Sequence, residues 1–186
     1  MEISTNLAYI IGSLEDGCLS HRPEKGEYVV EFEQKDLNWI KSLSKKFKLV
    51  FGVPGKIGKH RDYFRLRIYS KQIFNQLSEL RERVLDEFEK IPLDAKKAFI
   101  RAFFDTEGTV NSSKRFQLSV YSTNKKLICL TNNFLNEIKI PTGKLSRSRH
   151  VLMLPIYGKT NLQKFQEQIN FDHIPKKIKL KMLIGS

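Results

Sequence analysis

Two almost wholly apolar helical segments, each ending in an acidic residue followed by glycine, constrain the fold of this chain more than any other feature. They are LAYIIGSLEDG at residues 7–17 and FIRAFFDTEG at residues 99–108. A helix that is apolar on every side has to be buried on every side, because no face of it suits water. The fold must therefore enclose both segments in a core.

Small residues in these segments predict how the two helices meet. Ala8 and Gly12 lie four positions apart in the first helix, and Ala98 and Ala102 have the same spacing in the second. Residues at that spacing share one face of a helix. We expect the helices to cross along these faces, backbone close to backbone. The alternative is that the small residues only relieve crowding in a core helix.

The order of predicted elements is the same after each apolar helix: a strand, a helix, a strand pair and a helix. In the first half they are EYVVEFE, DLNWIKSLSKKF, KLVFGV with DYFRLRIYS across the loop PGKIGKHR, and SKQIFNQLSELRERVLDEFEK. In the second half they are FQLSVYS, NKKLICLTNNFLNEI, KLSRSR with HVLMLPIY, and NLQKFQEQI, followed by a tail, PKKIKLKMLIGS, that fits a helix or a strand. We interpret the repeat as an internal duplication, with halves at residues 1–93 and 94–186 in one compact monomer.

The charge balance predicts an anionic partner. The chain carries 33 Lys and Arg against 20 Asp and Glu, a formal net charge of +13. On a globular composition this favours nucleic acid first and a membrane surface second. No apolar run approaches the roughly 20 residues of a spanning helix, and the N-terminus lacks the basic stretch of a signal peptide. We expect an intracellular protein, in the cytoplasm or nucleoid of a prokaryote or in an organelle, neither secreted nor membrane-bound.

Asp16 and Glu107 stand at the ends of the two apolar helices. Crossing the helices along their small faces would bring these ends together. A carboxylate in a final helical turn opposes the macrodipole, which costs about 0.3–1 kcal/mol before mutual repulsion is counted. A hard cation such as Mg²⁺ would offset this cost, because it prefers carboxylate, water and phosphate oxygens. The alternative is that each acid is simply solvated.

The segments LAYIIGSLEDG and FIRAFFDTEG resemble the two motifs of the LAGLIDADG homing endonucleases, in the single-chain form with two motifs. FRLRIYSKQIFNQL, LSVYSTNKKLICL and GKTNLQKFQEQINFDHIPKK resemble strand-to-helix passages and the terminal helix of that family. The resemblance implies an α+β fold of pseudo-twofold duplicated αββαββα halves, with two antiparallel sheets forming a DNA-binding saddle around two central helices. It also implies site-specific hydrolysis of both strands of a long double-stranded DNA target with divalent metal ions, here Mg²⁺ with Mn²⁺ as a substitute.

The resemblance implies one catalytic, metal-binding acid per half. Glu107 follows Ala102 by five residues, as the family pattern requires, whereas Asp16 follows Gly12 by only four. The first acid is therefore Asp16 or Glu15, and we choose Asp16 because it precedes a glycine as Glu107 does. The predicted metal site comprises these two acids with the glycines that follow them, Gly17 and Gly108.

The sequence leaves the roles of the other polar residues near the two motifs open. Asp105 lies about 200° around the helix from Glu107, so we expect a surface or structural carboxylate. Family members often place Gln or Lys near the site just after a strand, which implies catalytic roles for Gln34 and Lys35. Alternatively, both residues simply open a solvated helix. In the second half we match Gln34 and Lys35 with Thr123 and Asn124, so this half lacks a basic residue there.

DNA contacts are expected from the strands, where alternation separates an apolar side from a polar side. In DYFRLRIYS the polar side carries Tyr63, Arg65, Arg67 and Tyr69. Arg and Gln can read guanine and adenine edges, whereas Lys more often binds phosphate. Residues 55–61 are expected to be a basic loop that clamps the DNA backbone. The predicted DNA-binding residues are Arg65, Arg67, Tyr69, Lys56, Lys59, Arg61, Lys114, Arg115, Gln117, Ser119, Lys144, Arg147 and Arg149.

The predicted partners are double-stranded DNA and, as a second possibility, the RNA of the chain's own intron. The alternative function is a catalytically inactive protein of the same fold: an RNA maturase that assists intron splicing, or a DNA-binding regulator. The missing residue between Gly12 and Asp16 keeps this alternative open.

Overall fold

The computed structural model describes residues 2–111 and 116–185. In these residues the chain forms seven α-helices and eight strands, and the strands make two four-stranded antiparallel sheets. The α+β class and the αββαββα order of both halves are confirmed. The chain divides into two compact units, Met1–Ala102 and Phe103–Ser186. The predicted division of the duplication at residues 93 and 94 stays a prediction.

The first half contains three helices and one sheet. Its elements are α1 (Thr5–Ser13), β1 (Cys18–Arg22), β2 (Glu27–Gln34), α2 (Leu37–Phe51), β3 (Lys56–His60), β4 (Tyr63–Tyr69) and α3 (Lys71–Asp86). The strands are ordered β1-β2-β4-β3, and every neighbouring pair is antiparallel. Short 3₁₀ turns occupy Pro23–Lys25 and Phe88–Lys90.

The second half repeats this order and adds one helix. Its elements are α4 (Leu93–Glu107), β5 (Gly108–Asn111), β6 (Gln117–Ser122), α5 (Lys125–Glu137), β7 (Ser146–Ser148), β8 (Val151–Tyr157), α6 (Lys159–Gln168) and α7 (Ile174–Gly185). The strands are ordered β5-β6-β8-β7, which matches the first sheet position by position. The C-terminal tail, which fitted either a helix or a strand, forms α7.

Side-chain caps fix where four of the helices begin. Ser4, Asp36, Ser70 and Asn124 precede α1, α2, α3 and α5, and each side-chain oxygen accepts a backbone N–H of the first helical turn. Such a cap satisfies one of the N–H groups that a helix start leaves without an intrahelical partner. The residues just before each cap are therefore held in place relative to the helix.

Each sheet packs helices on one face. In the first sheet, Phe32 of β2 lies 5.8 Å from Phe47 of α2 between ring centres, and Leu66 and Ile68 of β4 are also buried. Helices α2 and α3 contact this sheet, whereas α5 and α6 contact the second sheet. The alternate residues of β4, which include Tyr63 and Tyr69 at 38% and 46% exposed, lie on the other face.

Two predictions about local structure were wrong. KLVF was predicted to begin a strand but forms the end of α2, which stops at Gly52 in the left-handed conformation with φ 73°. Leu49 is 73% exposed, whereas Val50 and Phe51 are half-buried, so this run continues the two-sided pattern of the helix. The predicted loop at residues 55–61 contains β3, whose register with β4 pairs Lys56 with Arg67 and His60 with Tyr63. Backbone pairing at a sheet edge outweighs the poor strand propensity of its Gly and Lys residues.

The first apolar helix approaches the second closely, as the small residues predicted. A Cβ added to Gly12 would lie 2.4 Å from the Phe99 carbonyl oxygen and 3.0 Å from Ala102 Cβ. Only glycine allows this approach, because real Cβ contacts do not reach such distances. Leu7, Ala8, Ile10 and Ile11 of α1 are at most 1% exposed, which confirms burial of the apolar helix on every side.

Candidate functional site

The end of α1 explains the missing residue in the first motif. The helix ends at Ser13, and the chain continues with the bonds Leu14 N–H to Ile11 O at 3.1 Å and Asp16 N–H to Ser13 O at 3.3 Å. These bonds span three residues, as in a 3₁₀ turn, which rises about 2.0 Å per residue against about 1.5 Å in an α-helix. Three residues therefore advance the chain about as far as four helical ones. Asp16 lies in this turn and not, as expected, in the last turn of the helix.

Asp16 is exposed and is held by Gln34. The Nε2 of Gln34, the last residue of β2, donates to Asp16 Oδ2 at 2.8 Å. Lys35 follows and is exposed, with its Nζ 5.2 Å from the centre of the Tyr63 ring. The structure thus brings Gln34 to Asp16 and places Lys35 directly after the end of β2.

Glu15 occupies a different environment from its neighbour. Its Oε1 accepts a hydrogen bond from Arg81 Nη2 of α3 at 3.0 Å, and its side chain is only 10% exposed. Its charge is therefore balanced by a structural ion pair. Of the two candidates for the first acid, the exposed carboxylate of Asp16 is the one open to a ligand from outside the chain.

The end of α4 differs from the end of α1. The helix continues to Glu107, which is half-exposed, and β5 begins directly at Gly108. A Cβ on Gly108 would lie 2.3 Å from the Phe104 carbonyl oxygen, so only glycine permits this abrupt passage from helix to strand. Gly17 fills the corresponding place in the first half, half-buried against the ring of Phe32.

Asp105 is a structural carboxylate. It is fully buried, and its two oxygens accept the backbone N–H groups of Asp172 and His173 at 3.1 and 3.0 Å, immediately before α7. Acceptors at a helix start are favoured by the N–H groups exposed there and by the macrodipole. Asp105 therefore ties the last turn of α4 to the beginning of α7.

Lys176 of α7 also binds the last turn of α4. Its Nζ donates to the carbonyl oxygens of Phe104 at 3.2 Å and Thr106 at 3.1 Å, and also to that of Asp105. A cation at the last carbonyls of a helix offsets the negative end of the macrodipole. It therefore relieves part of the penalty that the acids of this turn incur. Sequence reasoning missed Lys176, because no spacing rule links residues so far apart in the chain.

The second half has no basic residue where the first half has Lys35. Asp36 and Asn124 cap equivalent helices, so counting back from these caps matches Lys35 with Thr123 and Gln34 with Ser122. The sequence-based match of Gln34 and Lys35 with Thr123 and Asn124 is one residue too far along the chain. The Ser122 hydroxyl accepts the Asn124 N–H at 3.0 Å, so this passage is stabilised by turn and cap bonds.

The polar face of the first sheet is defined here as Tyr63, Arg65, Arg67 and Tyr69 of β4 with Glu31 and Glu33 of β2. Arg65 Nε donates to Glu33 Oε2 at 2.7 Å, and Arg67 Nε donates to Glu31 Oε2. The hydrogen bond from Arg65 lowers the pKa of Glu33, and the bond to Glu31 raises the pKa of Arg67. The two arginines predicted to contact DNA are thus paired with carboxylates.

The other predicted DNA contacts of the first half lie on the edge strand and its turn. Lys56 and Lys59 are exposed on β3. Arg61 is exposed in the tight turn between β3 and β4, with φ 55°. These three cations are therefore accessible along one edge of the sheet.

The polar face of the second sheet is defined here by Gln117, Ser119 and Tyr121 of β6. Gln117 Nε2 donates to Ser119 Oγ at 2.9 Å, and Ser119 is only 2% exposed, so its hydroxyl offers little surface to a ligand. Arg147 Nε donates to the Arg149 carbonyl oxygen at 2.8 Å. Lys144, Arg147 and Arg149 are exposed around β7, and Lys114 and Arg115 lie outside the described residues.

The acids at the helix ends do not by themselves form a complete metal centre. Across residues 2–111 and 116–185, no group of three or more His, Cys, Asp or Glu side chains is arranged to hold a metal ion. The helices in these same residues are all too short or too polar to span a membrane.

Several known proteins resemble this chain in sequence or in fold. The crystal structure of I-DmoI in complex with DNA and Mn is 26% identical, with a TM-score of 0.72 over 90% of this chain and 97% of that chain. Full-length DUF199/WhiA from Thermatoga maritima is 14% identical with a TM-score of 0.65, over 97% of this chain and 60% of that one, a likeness of fold alone. The DNA-directed RNA polymerase subunit Rpo1C of Methanocaldococcus jannaschii is 27% identical over 197 residues, and this chain spans only 22% of its length.

The second half carries the family signature most clearly. Residues 94–170 match the family model of the LAGLIDADG-like domain, and this range begins in α4 and includes Glu107. The first half repeats the order of helices and strands of the second, including the acid–glycine step after its apolar helix. Residues 94–170 are therefore a LAGLIDADG-like domain, and the chain as a whole has the fold of the homing endonuclease I-DmoI, with a second acid–glycine motif in its first half.

Proposed function

We propose that this chain is a site-specific homing endonuclease that hydrolyses both strands of a double-stranded DNA target with divalent metal ions. One observation carries the proposal: each half ends a buried apolar helix in an acid–glycine step, within the fold of a DNA-bound endonuclease. In this proposal each half serves one DNA strand, so a monomer suffices.

The donors at the two helix ends suit a hard cation. Asp16 offers an exposed carboxylate, Glu107 a half-exposed one, and Gly17 and Gly108 follow with backbone carbonyls. Mg²⁺ commonly binds one or two carboxylates and takes its other ligands from water and substrate phosphates. Incomplete protein ligation therefore fits Mg²⁺, or Mn²⁺ in its place, as in the I-DmoI complex with Mn. Such an ion lowers the pKa of bound water and stabilises charge on a phosphate under attack.

The neighbouring residues of the chain have separate roles in this proposal. Gln34 holds Asp16 in one orientation through its amide, and Arg81 keeps Glu15 out of the site. Lys35 is the candidate for a basic helper beside the reacting phosphate. The polar faces of the two sheets and the cations of β3 and β7 contact the duplex on either side of the cut.

The test requires the DNA that flanks the reading frame, joined without the insertion. A plasmid bearing that sequence is incubated with the protein in Mg²⁺ and, as a control, in EDTA. We expect a single double-strand break in Mg²⁺ and none in EDTA. Tight binding without any nick or cut in either strand would refute the nuclease.

A binding protein of the same fold is the second candidate. The irregular α1 end and the absence of a basic residue at Thr123 favour it, because both depart from a symmetric two-strand nuclease. Such a protein would be a DNA-binding regulator or an RNA maturase. Binding to the intron RNA with faster splicing, and no cleavage of the plasmid, would identify a maturase.

A further inference from the structure

The two arginines on the polar face of the first sheet belong to one charge-balanced network with the glutamates of β2. Antiparallel pairing places Glu31 opposite Arg67 and Glu33 opposite Arg65. Glu33 Oε2 contacts Arg65 through both Nε, at 2.7 Å, and Nη2, at 2.5 Å. Glu31 bonds Arg67 Nε through Oε2 and lies 3.3 Å from Arg65 Nε through Oε1. The two arginines of β4 thus face the two glutamates of β2 across the strand pair.

The two arginines are held to different degrees. Arg65 is also 2.7 Å from His60 Nδ1 through its Nη2, and its side chain is 18% exposed. Arg67 is 32% exposed, and Glu31 contacts it through Nε. That contact leaves the far edge of the guanidinium, with its two Nη atoms, unused by the carboxylate. Arg67 is therefore the better placed of the two to meet a base.

A fixed guanidinium distinguishes a base from a phosphate. Reading guanine requires two coplanar N–H groups directed at O6 and N7, whereas a phosphate accepts a cation from many directions. A carboxylate that holds Nε sets the plane of the guanidinium before binding, so less side-chain freedom is lost when the base contact forms. The same carboxylates repel phosphates whatever the sequence, which weakens non-specific binding.

We propose that Glu31 and Glu33 determine sequence specificity at the DNA interface: Glu31 orients Arg67 to read guanine in the major groove, and both glutamates weaken binding to other DNA. The inference rests on the proposed function, because its ligand is duplex DNA. It is independent of cleavage, because it concerns binding alone.

The experiment measures binding in EDTA, so that no DNA is cut. A library of random duplexes is selected on the wild-type protein, and the dissociation constant is then measured for the selected duplex and for a scrambled one. We expect Glu31→Gln to reduce the preference for guanine at one position by about fivefold or more, the lower range for a bidentate base contact. Arg67→Ala should lose the same preference, and adding Glu31→Gln to Arg67→Ala should reduce it no further.

Glu27→Gln is the matched control. Glu27 lies on the same strand and the same face as Glu31, and it pairs with Arg22 at 3.7 Å at the end of the sheet. Its replacement removes the same charge without touching Arg65 or Arg67. We expect stronger binding to both duplexes and an unchanged guanine preference. Melting curves check that each Glu→Gln variant, which keeps the shape of the side chain, remains folded.

The outcomes separate the inference from the function on which it rests. If Glu31→Gln and Glu27→Gln change specificity equally, only net charge matters and the inference is overturned. If the wild type prefers one sequence but Arg67→Ala keeps every base preference, the reading role of Arg67 is overturned while site-specific binding stands. If the wild type binds all duplexes equally, site-specific recognition itself fails.

Discussion

Each half of the molecule has an acid–glycine step, but different hydrogen bonds support the acid or its helix end in the two halves. α1 ends at Ser13, and its acid lies in a tight turn held by Gln34 of β2. α4 continues to its acid, and Lys176 of the additional helix α7 caps its last carbonyls. The duplication has therefore kept the position of the acid while its support diverged. Because the two acids have unequal supports, removing each support should have an unequal effect.

The two polar faces show the same divergence. The first carries Arg65 and Arg67 balanced by Glu31 and Glu33, whereas Gln117, Ser119 and Tyr121 of the second are uncharged. Among the residues of the second half that the structure describes, the exposed cations predicted to contact DNA lie around β7, at the edge of the sheet. The first sheet is thus suited to charged base contacts at its centre and the second to neutral ones.

Replacing one acid at a time should have the largest effect. We expect Glu107→Gln and Asp16→Asn each to slow cleavage of at least one strand by about 100-fold or more, because each removes a carboxylate that we propose as a metal ligand. Binding should be largely preserved. The measurement is single-turnover cleavage of a duplex with both strands labelled. Glu15→Gln is the control and should leave both rates nearly unchanged, whereas full double-strand cutting by Glu107→Gln would refute its assigned role.

Removing the cap on α4 should have an intermediate effect confined to one half. Lys176→Met should lower the free energy of unfolding by about 1.5–3 kcal/mol, the range for hydrogen bonds to a charged group. It should also slow the strand served by Glu107 by about tenfold, because the acid is then less firmly oriented. Lys179→Met, at an exposed position of the same helix, is the control. Equal slowing of both strands by Lys176→Met would contradict a local role.

Removing Gln34 should have the smallest effect, in the other half. Gln34→Met deletes one hydrogen bond to an exposed carboxylate, so we expect about a two- to tenfold slower cut of the strand served by Asp16. The free energy of unfolding should change by less than about 0.5 kcal/mol. Gln72→Met on α3 is the control, at an exposed position. A loss as large as that of Asp16→Asn would mean that Gln34 contacts the reacting groups itself.

Local patterns predicted the elements whose signal lies within one stretch of chain. β4 follows strict alternation, and each apolar helix is followed by an acid–glycine step or ends in its acid, so these elements were recognised. β1, β3 and β5 were missed because Cys18–Arg22, Lys56–His60 and Gly108–Asn111 are short and mostly polar. They acquire their conformation by pairing with β2, β4 and β6. KLVF was misread because a short apolar run has the same composition in a strand and at the end of a helix.

Contacts between distant residues could not be predicted from the sequence alone. The acids of EYVVEFE fall opposite the arginines of DYFRLRIYS only in the observed register, and shifting it by one residue would place them on opposite faces. Lys176 reaches α4 from a helix that the sequence left ambiguous. The pairing of Asp16 with Gln34 likewise depends on how the α1 turn meets the end of β2.

The central claim is that one acid from each half, Asp16 and Glu107, binds a divalent ion when DNA is bound. Anomalous scattering from crystals of the complex with target DNA and Mn²⁺ tests it directly. We predict manganese peaks beside both carboxylates, with ion–oxygen distances of about 2.0–2.6 Å. Manganese bound instead at Glu15 or Asp105, or absent beside Asp16 and Glu107 in a complex with well-ordered DNA, would contradict the account.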